Sequence, residues 1–121
     1  MANTFKVVTF AAEPASAGKP YVMYTVASST TAVVLGLVLS NINTTAVTAE
    51  VELVSTTSNR AGANNASNGT SFLIKDVSIP TGSSLEILSG GKVVLEAGDK
   101  IQIDCSVADK LSGTLSIMEI T

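Results

Sequence analysis

The chain has 121 residues, of which 45 % are hydrophobic and 14 % charged, with a formal net charge of −3. That length allows one domain with a real core and excludes two. Its basic residues are scattered singly and it holds three Phe, two Tyr and no Trp, which excludes the clustered cations and aromatic platforms of a nucleic-acid surface.

The longest apolar run, Ala32 to Leu39, contains Gly36 and falls far short of the ~20 residues that span a bilayer as a helix. The opening Met1-Ala2-Asn3-Thr4-Phe5-Lys6 has no basic stretch leading into an apolar one, so no signal peptide is expected. A mean hydropathy of +0.42 is high for a chain of this size. A small domain cannot hide all its apolar surface, so the surplus points to burial against other subunits.

Thr, Ser and Val are abundant, and β-branched residues suit a pleated, half-buried surface. The first strand is expected over Thr4–Ala11 and the second over Tyr21–Ala27, with a loop of small residues from Pro14 to Pro20 between them. Ala32–Ser40 is apolar on both faces and reads as a central strand covered on each side or facing a neighbouring subunit. Gly36 within it marks a bulge or a close backbone approach. Over Ala46–Ser55, Val47, Ala49, Val51 and Leu53 face one way while Thr48, Glu50 and Glu52 face the other.

Thr56–Gly69 is a polar segment with nothing to anchor a core. Thr70–Ile79 resumes as a strand whose apolar residues fall on mixed faces, which predicts a bulge near Lys75-Asp76. Pro80-Thr81-Gly82 is a turn, because Pro presets φ and Gly accepts positive φ. Four more strands follow, Ser84–Leu88, Lys92–Glu96, Lys100–Val107 and Thr114–Ile120, with Gly90-Gly91 and Ala97-Gly98-Asp99 as hairpin connections and Val107–Gly113 as a loop or single helical turn. About nine short strands with closely spaced turns make an all-β chain, a single antiparallel β-sandwich of jelly-roll or immunoglobulin-like topology over residues 1–121.

The chemistry is sparse. With no histidine and one cysteine, the commonest general base is missing and no structural zinc site can form from this chain alone. Cys105 lies on the face of Ile101, Ile103 and Val107 and reads as a small core residue. Glu50 and Glu52 are near enough for glycosidase chemistry, but an alternating exposed pair without stacking aromatics serves solubility. Asp99, Asp104 and Asp109 form no calcium-loop pattern, and no phosphate loop is present. Tyr21 and Tyr24, three apart on one strand, face opposite ways and so share no sugar-binding platform. The expectation is a chain that is not an enzyme and carries no cofactor.

Three stretches carry a resemblance: Tyr24-Thr25-Val26 with Thr31-Ala32-Val33-Val34-Leu35-Gly36-Leu37, then Ile79-Pro80-Thr81-Gly82-Ser83-Ser84-Leu85-Glu86, then Gly91 to Ile101. Together with the ending Ser116-Ile117-Met118-Glu119-Ile120-Thr121, they look like small virion structural proteins of tailed phages, cyanophages in particular. The resemblance implies a β-sandwich made in the host cytoplasm and built into the virion. There it would bind other copies of itself, as a trimer at a site of local threefold symmetry, and the major capsid protein or other virion proteins. Capsid decoration (cement) is the favoured role; a neck, tail or fibre component and a carbohydrate- or receptor-binding module are the alternatives. It implies no active-site residues. On the cement reading, contacts are expected from the N-terminal segment, the Pro14–Pro20 loop and the Thr56–Gly69 loop, with Phe5, Val7, Lys19, Tyr21, Asn59 and Arg60 as the interface candidates.

Overall fold

The computed structural model of the chain describes residues 2–55, 69–88 and 91–121. Nine strands follow one another: β1 (Asn3–Glu13), β2 (Tyr21–Thr25), β3 (Thr31–Asn41), β4 (Val47–Val54), β5 (Thr70–Ile79), β6 (Ser84–Glu86), β7 (Val93–Leu95), β8 (Lys100–Cys105) and β9 (Leu111–Ile120). They form two antiparallel sheets. One has the order β1-β9-β3-β6, with β7 also paired to β3, and the other the order β2-β8-β4-β5.

The pairs β1:β9, β2:β8, β3:β6/β7 and β4:β5 nest one inside the next. The chain is therefore one long hairpin, with its tip between β4 and β5, rolled up so that alternate pairs fall in opposite sheets. That topology is the jelly roll, and it decides between the two sandwich forms that strand counting leaves open.

Alternation supplies the core. On β3, Ala32, Val34, Leu37 and Leu39 are buried; on β9, Leu111, Leu115 and Ile117; on β4, Val47, Ala49 and Val51; on β8, Ile101, Ile103 and Cys105. The switch of parity on β3 between Val34 and Leu37 is the work of a bulge at Leu35, where the register with β9 slips. Gly36 is beside that bulge, and a side chain there would meet nothing within 4 Å. The bulge reading of this glycine holds, and the close approach does not.

Close approach occurs instead at Gly113, on which the Phe10 ring lies directly. That ring also meets Tyr21 edge-on at 5.3 Å between centroids, joining the two sheets at one end of the core.

The expected bulge on β5 is present. Lys75 and Asp76 together oppose Glu50, and Asp76 has φ +53°. The Pro80 turn closes with the Ser83 N–H donating to the Pro80 carbonyl at 3.2 Å, and Gly82 has φ +71°.

Four expectations need correction. The Ala97-Gly98-Asp99 turn is not a hairpin but carries the chain from one sheet to the other; Gly90 of the other expected hairpin lies outside the described residues, and the strands on either side of it, β6 and β7, pair successively along β3 and not with each other. That crossing is tied down by the Val26 N–H donating to the Asp99 carbonyl and the Gly98 N–H to the Val26 carbonyl, at 2.9 and 3.0 Å. Residues 111–113 are the start of β9 and not a loop. β8 ends at Cys105, so Val107 lies past the strand, is exposed and leaves the core face on which Cys105 remains. Finally, a register shift between Val22 and Tyr24 sets Tyr21 opposite Ile103 and Tyr24 opposite Ile101. Both tyrosines therefore lean toward the core on one face.

Candidate functional site: an apolar outer face on the β1 sheet

The outward positions of the two sheets differ in kind. On the β2-β8-β4-β5 sheet they include Lys100, Gln102 and Asp104 from β8, Glu50 and Glu52 from β4, and Lys75 and Asp76 from β5. Lys75 Nζ lies 3.6 Å from Glu50 and 4.5 Å from the centre of the Phe72 ring, and Gln102 donates to Glu52 at 2.9 Å. This is an ordinary solvated face.

Glu50, Asp76 and Asp104 converge on a shallow cleft of about 160 Å³ that Gly18 and Ser106 complete. The Glu50 carboxyl is held above its ordinary range by partial burial and by its hydrogen bond with Asp76, against the pull of Lys75. Glu52 lies on the same outward face as Glu50 but is engaged by Gln102. Among the described residues, no group of three or more His, Cys, Asp or Glu has the geometry to hold a metal ion.

The β1-β9-β3 sheet presents the opposite chemistry. Its outward positions are Phe5, Val7 and Thr9 on β1, Thr114, Ser116 and Met118 on β9, and Val33, Val38 and Ser40 on β3. Val94 on β7 and Glu86 on β6 complete the face; Glu86 lies at one margin, and at another Glu96, just past β7, accepts from the outward Thr31 hydroxyl at 3.3 Å.

The register lines up Phe5 opposite Met118, Met118 opposite Val33 and Val33 opposite Val94. One apolar row thus crosses four strands. Phe5 and Val7 are 72 % and 62 % exposed, and Leu35, Val38 and Val94 are exposed beside them. Strand spacing and rise make this face about 20 Å by 30 Å, on the order of 600 Å², near the ~800 Å² that each partner contributes to a standard protein interface.

Of the residues singled out from sequence, Phe5 and Val7 stand together on this face. Lys19 is exposed in the β1–β2 connection, where its N–H donates to the Ser16 carbonyl at 3.2 Å. Tyr21 is half-buried against Phe10. Asn59 and Arg60 lie outside the described residues. Met118, Val33 and Val94 escaped the sequence reading because each alternates unremarkably in its own strand. The signal that bore on them was the two-faced apolarity of Ala32–Ser40.

At the open end of the sandwich, Glu119 accepts from the Tyr24 hydroxyl at 2.5 Å and from Lys6 Nζ at 2.7 Å. Both donors hold its carboxyl below the ordinary range, Lys6 first, while burial and the Glu119 charge push the Tyr24 phenol well above its usual value. Lys6 and Glu119 are on the inward parity of their strands, so this charge closes the end of the core and stays off the outer face.

Comparison with protein-family models and with curated proteins finds no match. Among solved structures, the chain is similar to one from Bacillus, whose endospore appendages are described as forming a novel family of disulfide-linked pili. The alignment covers 99 % of this chain and 87 % of that one, at 16 % identity and a TM-score of 0.47.

Proposed function

We propose that this chain is a non-enzymatic structural protein of a tailed-phage virion, a capsid decoration subunit that works by binding other copies of itself and the proteins of the shell. The observation that carries the reading is the contrast between the two sheet faces: one holds Lys100, Asp104, Glu50, Glu52, Lys75 and Asp76, while the other is an apolar and hydroxyl surface with Glu86 and Glu96 at its margins. An apolar row crossing four strands on an exposed face is the kind of surface patch that commonly marks an interaction site. The sequence resemblance to phage virion proteins gives the partner's class, and a jelly roll is compatible with it, although the same fold serves lectins and cupins. A subunit seated across a seam between capsomers would raise the free energy of opening the shell by binding the closed form alone.

The test is co-sedimentation of the purified protein with expanded, genome-free heads of the tailed phage that encodes it. Saturable binding at a fixed number of copies per shell, with a raised temperature of head disruption, is the expected result. Pelleting with tails would move the role to the neck or tail, and no binding to either would overturn the virion reading.

A further inference from the structure

We propose that two copies of this chain pair antiparallel through their β1 strands about a twofold axis at Phe5, joining their β1-β9-β3 sheets into one. The inference rests on the reading of the chain as an assembling protein and names the contact.

The ladder between β1 and β9 fixes which backbone groups are free. Ala2 and Thr121 exchange both N–H···O bonds at 3.0 Å, and the register from Asn3↔Ile120 to Phe10↔Gly113 continues unbroken. Hydrogen-bonded and non-hydrogen-bonded pairs alternate along an antiparallel ladder. Thr4, Lys6 and Val8 therefore bond inward to β9, while Asn3, Phe5, Val7 and Thr9 aim their N–H and C=O groups off the open edge. Among the described residues, β1 pairs with β9 alone. The residues offering free backbone groups are also those whose side chains lie on the apolar outer face.

The other sheet edges carry features that discourage pairing. β2 has five residues and a register break between Val22 and Tyr24. β5 is broken twice against β4, with Lys75 and Asp76 in one bulge. β6 and β7 are three residues each. The β1 edge runs straight over Asn3–Phe10 without a proline, and its charge, Lys6, points to the inner side and is matched by Glu119.

Register selects the occupant. The regular edge begins at Ala2 and ends at Phe10, where the register with β9 breaks and the ring turns inward onto Tyr21 of β2. A twofold at Phe5 uses that stretch, pairing Phe5 with Phe5, Asn3 with Val7 and Thr4 with Lys6 of the second copy. A twofold at Lys6 would oppose two ammonium groups, which is unfavourable. With the axis at Phe5, the row Val94–Val33–Met118–Phe5 continues into its own image, so the partner that completes both the hydrogen bonds and the apolar row is the same chain. This gives a twofold pair, where the resemblance to virion proteins implies a trimer.

The experiment combines sedimentation velocity with disulfide trapping. The unmodified protein is expected to sediment as a dimer at micromolar concentration. Val7→Pro removes an N–H that faces outward, so it should keep the β1–β9 ladder and the circular-dichroism melt yet weaken dimerisation at least tenfold. Phe5→Cys should cross-link on oxidation with copper-phenanthroline, because directly opposed Cα atoms ~5.5 Å apart are within disulfide range. Val7→Cys, displaced along the strand from its own copy, should not. Should Val7→Pro fail to fold, the cysteine pair still decides.

A monomer at 100 µM, a trimer insensitive to Val7→Pro, or cross-linking at Val7 in place of Phe5 would each overturn the proposal. Binding of any of these species to phage heads would leave the decoration reading standing, so the two fail separately.

Discussion

Gly113 is where the inner layer can least accept a larger residue. A methyl group there would overlap the Phe10 ring and crowd Leu39, and the ring has little room to yield because Phe10 is 8 % exposed and held against Tyr21. Gly113→Ala is expected to cost about 1–3 kcal/mol, the usual penalty of overpacking, read as a shift of the urea midpoint without a change of slope. Asn41 is the counterpart among polar groups. It is 4 % exposed, donates through Nδ2 to the carbonyls of Thr45 and Ile79 at 3.0 and 2.8 Å, and accepts from the Asn43 N–H at 2.7 Å. One side chain thus fastens the β3–β4 turn to the end of β5. Asn41→Ala strands all three partners and should cost about 2–3 kcal/mol; the same denaturation series checks it, and a loss below ~0.5 kcal/mol would mean that water replaces the amide.

At the scale of elements, the bond between Tyr24 on β2 and Glu119 on β9 ties the two sheets together, and its protonation sets a pH window. Glu119 titrates lower in the folded state than in the unfolded one. Its contribution is therefore complete above the ordinary glutamate range and is lost as pH falls through the depressed folded value. The Tyr24 phenol titrates higher when folded, so its contribution is complete below about pH 10 and is lost as pH rises beyond it. Tyr24→Phe should cost about 1.5–3 kcal/mol at pH 7, the worth of a hydrogen bond to a charged group. The difference from the unmodified protein should shrink at both extremes, and thermal melts from pH 3 to 11 would check this. A difference constant across that range would assign the loss to packing alone.

Elements are also where the sequence stops being legible. The alternation of Val47, Ala49, Val51 and Leu53 and the mixed faces around Lys75-Asp76 were visible because they are local. The fate of the chain after Gly98 was not: a turn records that the chain reverses, not which sheet receives the next strand. The shift that turns Tyr21 and Tyr24 to one side was hidden too, since Val22-Met23-Tyr24 has no composition that marks a bulge. Part of the candidate face was accessible, through the exposed-looking Phe5 and Val7. The rest depends on Met118, Val33 and Val94 being brought level by pairing between strands far apart in the chain.

For the whole molecule, the two faces demand different responses to salt. A contact built from the charged sheet would be held by groups such as Lys75, Lys100, Glu50 and Asp104. Such a contact weakens as the Debye length contracts from ~30 Å at 0.01 M to ~3 Å at 1 M. A contact built from Phe5, Val7, Met118, Val33 and Val94 and the free β1 backbone has no ion pair to screen. Exclusion of kosmotropic salt from apolar surface should tighten it. Self-association measured by sedimentation from 0.02 to 0.5 M sodium sulfate is therefore expected to hold steady or strengthen. Dissociation on adding salt would locate the contact on the charged sheet or the loops. Met118→Lys separates these cases in the same experiment: it places a charge in the row at a half-exposed position one strand in from the β1 edge, so it should leave the melt almost unchanged, abolish a contact that covers the whole outer face, and leave pairing through the β1 edge standing.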